Sequence, residues 1–164
     1  MKKRLKKRQS KIIIGFTIVL IGIIVFVGFY QRIFSPNVSL PEDKQEIYIY
    51  IPSDADYHDV IDTLDKKAYI EDIKSFKWVA RKKNYDRYVQ AGRYKIKHGM
   101  SNNQLVELLR SGRQEPVDLI FNNIRTKEEL ASRISEQIEA DSGNIVNLLN
   151  DKEFLAQFNF TPSN

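Results

Sequence analysis

Residues 12–30 are nineteen consecutive positions without a charged side chain, and the eleven residues before them carry seven basic ones: Lys2, Lys3, Arg4, Lys6, Lys7, Arg8 and Lys11. As a helix rising ~1.5 Å per residue, such a run covers close to the ~30 Å of a bilayer's hydrocarbon core. Its one clearly polar side chain, Thr17, can bond back to its own helix. Only Arg32 follows closely on the far side, so the positive-inside bias predicts a cytoplasmic tail over 1–11, a membrane span over 12–30 and an exported remainder on the outer face of the cytoplasmic membrane. A cleavable leader also starts basic, but its apolar region runs ~7 to 15 residues and ends in a small-residue site. This run ends Phe26, Val27, Gly28, Phe29, Tyr30, which favours a retained single-pass anchor.

Beyond the anchor the hydrophobic period changes. Residues 31–45 include Ser35, Pro36, Asn37, Ser39 and Pro41, the composition of a short polar stalk that keeps a domain near the bilayer without packing there. From 46 to 51, Ile47, Ile49 and Ile51 alternate with Tyr48 and Tyr50, the period of a strand with two partly apolar faces, and Pro52 ends it. Ser53, Asp54 and Asp56 then offer N-caps, with Val60, Ile61 and Leu64 at helical spacing to about 67. A second helix is predicted over 73–83, with Phe76, Val79 and Ala80 on one face. Residues 92–97 alternate again as a returning strand. Strand, helix, helix, strand is the predicted order over 46–100.

The stretch 101–164 is predicted as an extension of helix, strand and further helices. Two capping boxes mark it, Ser101 with Gln104 and Thr126 with Glu129, each followed by an apolar stripe: Leu105, Leu108 and Leu109 up to Gly112, then Leu130, Ala131, Ile134 and Ile138. Residues 116–121 form a third strand candidate between them, and 144–149 and 152–158 two more short helices. The fold class is α+β.

Charge alters this picture in one respect. The formal net charge of +5 comes from the tail, since removing its seven basic residues leaves 19 Lys and Arg against 21 Asp and Glu, a net of −2. The tail suits an anionic membrane surface, and no nucleic-acid partner is expected because the remainder lacks a basic excess. The absence of cysteine excludes a lipoprotein anchor, disulfides and thiolate metal sites. His58 and His98 fall on different elements without a second ligand at metal spacing, so neither a metal nor a cofactor is expected. Asp54, Asp56, Asp59, Asp62 and Asp65 read as a cap and a solvated helix face, and Phe76 and Trp78 as packing. No nucleophile elbow or phosphate loop occurs, and no general acid or base identifies itself.

Several strings nevertheless resemble a family. The strand at 47–51, the run Gly92, Tyr94, Ile96, Gly99, Met100, Ser101, the helix ending Leu109-Arg-Ser-Gly112 and the segment Pro116-Val-Asp-Leu-Ile-Phe121 are similar to the N-terminal half of endolytic murein transglycosylases, the MltG or YceG-like family. The resemblance implies a LysM-like β-α-α-β subdomain next to the membrane and a catalytic glutamate in a domain downstream of these residues, so that no residue of the chain inherits the acid–base role. Where the family has a Glu-Gly pair after the third strand, this chain has Asn122 and Asn123. Asparagine tolerates the left-handed conformation a glycine would adopt, which would preserve the turn.

The activity implied is cleavage between N-acetylmuramic acid and N-acetylglucosamine with the muramic 6-hydroxyl as internal nucleophile, which one carboxyl can serve by protonating the leaving oxygen and then taking the hydroxyl proton. Implied partners are peptidoglycan glycan strands, the membrane and cell-wall synthesis proteins. A non-catalytic, membrane-tethered wall-binding or division-scaffold module would share the same anchor and small domain. Because LysM domains use a groove between the loops flanking the helix pair, the resemblance makes Ser53, Asp54 and Tyr57, with Tyr85, Arg87 and Tyr88, the candidate glycan-binding residues. Their flat rings and polar tips are of the kind that pack on sugar faces.

Overall fold

The computed structural model describes residues 2–161, and the chain divides into two units at the Glu115–Pro116 junction. In the first, helix α1 (Lys2–Phe34) contains the apolar stretch Ile14–Phe34, 21 residues with none of the side chains buried in protein. At ~1.5 Å per residue it is long enough to cross a bilayer, a property that a membrane anchor and a signal sequence share.

Residues 35–40 are not the polar stalk expected of them. Pro36 bridges to Ser101 and Val38 to Ile70, and Asn37, Val38 and Leu40 are buried. The amides of Asn37 and Val38 both donate to Met100 O at 2.9 Å, and Leu40 N–H donates to His98 Nδ1 at 3.2 Å. Val38 and Leu40 supply apolar surface, and the loops of the domain supply the backbone partners that a free stalk would have left to water.

Strands β1 (Glu46–Ile51) and β2 (Gly92–Lys97) pair antiparallel, with Ile47 opposite Ile96, Ile49 opposite Tyr94 and Ile51 opposite Gly92. Between them lie α2 (Tyr57–Lys66), α3 (Ile73–Lys82) and a 3-10 turn, Tyr85–Arg87, and after them α4 (Asn102–Arg110). Asp56 caps α2 in a reciprocal box with Asp59, Asp72 caps α3, and Ser101 with Gln104 forms the predicted box on α4. The inner sheet face (Ile49, Ile51, Tyr94, Ile96) meets Val60, Ile61 and Leu64 of α2, Phe76, Val79 and Ala80 of α3, and Leu105, Val106 and Leu109 of α4 in one core. Gly92 sits at φ +134, a conformation that L side chains rarely adopt, and the end of the Gln114 side chain fills the space a Cβ would take.

The second unit, from Pro116, holds α5 (Lys127–Ser135), α6 (Ser142–Asn150) and α7 (Lys152–Ala156). The third strand expected over 116–121 is absent. That segment pairs with no strand, and Val117, Leu119, Ile120 and Phe121 are exposed; a strand needs a neighbour for its ladder, and here Gln137 takes that place, its Oε1 accepting from Ile120 N–H and its Nε2 donating to Ile120 O, each at 2.8 Å. Asn123 adopts φ +57, the left-handed turn foreseen for it. Thr126 caps α5, but Glu129 returns its bond to Arg125 N–H at 2.9 Å instead of to Thr126, so the second box is half formed.

Candidate functional site

The pairing of Ile51 with Gly92 puts the loop after β1 and the loop before β2 at one end of the sheet, as a groove between them requires. At that end Ser53, Asp54, Arg87 and Tyr88 are exposed, and Tyr88 is 70% accessible. Tyr57 and Tyr85 are not available to a ligand. Both are buried, Tyr85 completely, and their rings meet edge to face with centroids 6.3 Å apart inside the core. Tyr57 OH donates to Lys77 O at 3.4 Å, whereas Tyr85 OH is buried without a hydrogen-bond partner. Burial pushes both phenols above their ordinary range, Tyr85 most strongly. The reason lies in spacing. Tyr57 opens α2 one turn before Val60 and Ile61 and shares their face, and Tyr85 follows α3 where the chain turns back across the core. Of the three rings expected on the groove, Tyr88 remains.

The outer face of the sheet holds a set of aromatic and basic side chains that the alternation alone did not mark as a surface. Tyr48 and Tyr50 stand opposite Lys95 and Arg93, with the Arg93 guanidinium 3.7 Å from the Tyr48 ring centroid and Lys95 Nζ 5.4 Å from it. Lys95 also faces Glu46 at 3.4 Å and Glu115 at 3.8 Å. The signal was present in the tyrosines between the isoleucines of β1. With helices covering only the isoleucine side, those rings face water, and cations stack on them.

A second array lies on α3. Lys74, Lys77, Trp78, Arg81 and Lys82 line an open concavity of about 460 Å³. Trp78, read as packing, is half-buried against the end of α1, its ring 5.5 Å from that of Phe29 at 61°, with Arg32 and Lys82 5.6 and 5.9 Å from its centroid. Net charge concealed this basic face, because the acidic residues that balance it lie on other elements.

Beside it a buried polar cluster ties α1 to the domain. Asn102 Nδ2 donates to Arg32 O at 2.9 Å and Ser75 Oγ at 2.8 Å, and Asn37 Nδ2 donates to Asn102 Oδ1 at 2.6 Å. Asp72 N–H donates to Asn37 Oδ1 at 2.8 Å, and Ser75 Oγ donates to Asp72 O at the same distance. These side chains satisfy the end of a helix that would otherwise leave carbonyls unpaired.

Proton-transfer chemistry asks for a carboxyl raised toward neutrality. Among the described residues, Asp56, Asp62, Asp72 and Glu107 are each held below the ordinary carboxylate range, chiefly by backbone amides at the two caps, by the Lys66 hydrogen bond at Asp62 and by the Lys83 hydrogen bond at Glu107. They are built to stay ionised.

Compared with known proteins, residues 49–160 match the YceG-like family, which is more than half of the chain, and the chain belongs to that family. Among solved structures, a yceG-like protein from Listeria monocytogenes is 26% identical with a TM-score of 0.46, covering 70% of this chain and 38% of that one. The chain therefore spans well under half of that protein's length. No curated protein matches it.

Proposed function

We propose that this chain is the membrane-anchored N-terminal portion of an endolytic peptidoglycan lytic transglycosylase, which cuts nascent glycan strands at the N-acetylmuramic acid to N-acetylglucosamine bond, leaves 1,6-anhydro ends and so sets strand length. The family match over residues 49–160 carries this reading. A single apolar helix preceded by seven basic residues supports an N-terminus in the cytoplasm and a domain on the outer face, beside glycan that is still lipid-linked. Within this reading residues 1–164 supply the anchor and the scaffold. The resemblance puts the acid–base glutamate downstream of them. Ser53, Asp54, Arg87 and Tyr88 are the groove residues exposed to meet glycan. The wall and its synthesis proteins are the partners.

Depleting the protein in its own organism should lengthen glycan strands and lower the share of anhydro ends in digested peptidoglycan. Purified residues 1–164 should release no anhydromuropeptides. Unchanged strand lengths would leave the non-catalytic wall-binding module as the better reading, and turnover by residues 1–164 would place the active site inside them.

A further inference from the structure

The depth of Trp78 follows from the length of the apolar run. Lys11 and Arg32 bracket 20 residues without charge, residues 12–31, which at ~1.5 Å each fill the ~30 Å of hydrocarbon. Phe29 then lies at the outer boundary of that layer, and the Trp78 ring held 5.5 Å from it lies at the same depth. Tryptophan favours this boundary because its ring is apolar and its N–H is wet. The polar cluster of Asn37, Ser75 and Asn102 fixes the placement by holding α3 and α4 to Arg32 O. Around Trp78 the outward face of α3 presents Lys74, Lys77, Arg81 and Lys82, and the helix contains no acidic residue. Those four side chains line one concavity with Trp78, Arg32 lies over its ring, and long basic side chains can rest their stems on acyl chains while their heads meet phosphate.

We propose that the exposed face of α3 is a lipid-docking surface that lies on the leaflet from which α1 emerges and gathers anionic phospholipid, with Trp78 at the acyl boundary and Lys74, Lys77, Arg81 and Lys82 on the phosphates. The occupant is fixed by charge and by continuity with the membrane helix, on which the proposal rests. The domain is thereby held flush with the bilayer in one orientation, which no tether alone would impose.

Trp78 is the single tryptophan of the chain, so its fluorescence reports this face alone. The full chain is placed in phosphatidylcholine vesicles containing equal small fractions of brominated phosphatidylglycerol or brominated phosphatidylcholine. The anionic lipid should quench Trp78 with a relative association constant at least about fivefold higher, the attraction of one Lys or Arg near a charged surface. That ratio should fall toward one when Lys74→Gln, Lys77→Gln, Arg81→Gln and Lys82→Gln are combined with Arg32→Gln, which removes the remaining cation beside Trp78. It should fall likewise for the unaltered chain in about 1 M salt, where the screening length is ~3 Å. The basic tail cannot mimic the effect, because it lies a bilayer's thickness from Trp78. Equal quenching by the two lipids, or a preference that survives the five substitutions, overturns the docking surface. Loss of the chain from floated vesicles after a high-salt wash overturns the anchored reading itself, and the two failures are told apart by that wash.

Discussion

The two units of the chain use the same local devices to different ends. Both start helices with side-chain caps and carry apolar stripes, yet the first buries eighteen hydrophobic residues in one core and the second, among the described residues, buries two, Ala131 and Leu155. Ile138, Leu148, Phe158 and Phe160 stay exposed in the second unit, as does the segment 117–121. Caps and periodicity are therefore enough to define a helix but not to close a core, which takes a sheet face and the segment 35–40 folded over it. Among the described residues of the second unit, hydrogen bonds tie its segments together, those of Gln137 to Ile120 and of Lys127 Nζ to Leu149 O at 3.0 Å among them.

The largest effect expected from this contrast is in the first core. Phe76→Ala removes a fully buried ring and should cost ~3–5 kcal/mol. Leu155→Ala should cost no more than the low end of the large-to-small range, ~2 kcal/mol, and act on the second unit alone. Denaturation followed by Trp78 fluorescence, which reports the first unit, should show the Phe76 effect and miss the Leu155 one. Equal shifts of that transition would mean the two units unfold as one.

Much of the first unit was legible because its signals are local. Alternation at 46–51 and 92–97 became two strands with those same ends, and the box at Ser101 and the stop at Gly112 bracket α4. What escaped was non-local. Nothing within 35–40 shows that Met100, Tyr69 and His98 await its backbone groups, and nothing within 116–121 shows that no strand comes alongside. The candidate site was half legible for the same reason. Loop position placed Ser53, Asp54, Arg87 and Tyr88 outside, but a tyrosine at the head of an amphipathic helix packs with that helix's stripe, and Tyr57 did. The face of α3 was in plain view as Lys74, Lys77, Arg81 and Lys82, and it acquired meaning only when Trp78 met Phe29.

Smaller effects sharpen the contrast through polar groups. Asn102→Ala removes the closest acceptor of the Asn37 amide and the donor shared by Arg32 O and Ser75 Oγ from a largely buried cluster, and should cost ~1–3 kcal/mol. Amide exchange should also quicken over residues 31–38, where α1 is tied to the domain. Gln137→Ala removes exposed bonds whose partners regain water, and its cost should stay below that of Asn102→Ala in the same measurement. At the caps, Ser101→Ala should cost ~1 kcal/mol and Thr126→Ala less, since the Thr126 box lacks its return bond. Matching losses at the two caps would show that the missing bond is immaterial.

The smallest effect at neutral pH, and the one with the clearest sign, belongs to Tyr85. Its hydroxyl is buried without a partner, so Tyr85→Phe removes a desolvation cost and should be neutral or stabilising by up to ~1 kcal/mol. Alkali separates the two chains. Burial raises the folded phenol's pKa above the unfolded value of ~10, so the stability tied to the neutral form is fully present below pH ~10. Above that pH the unfolded chain releases a proton that the folded chain retains, and stability falls until the pH passes the folded value. Tyr57 and Tyr94 are raised in the same direction and contribute to the same loss in both chains. The advantage of Tyr85→Phe should therefore widen steadily above pH ~10 in denaturation curves read by Trp78. The second unit contains no tyrosine from Pro116 onward and should show no phenol contribution over that range. A constant difference between Tyr85→Phe and the unaltered chain from pH 8 to 11 would place the Tyr85 hydroxyl in contact with water and open the core at the foot of the groove.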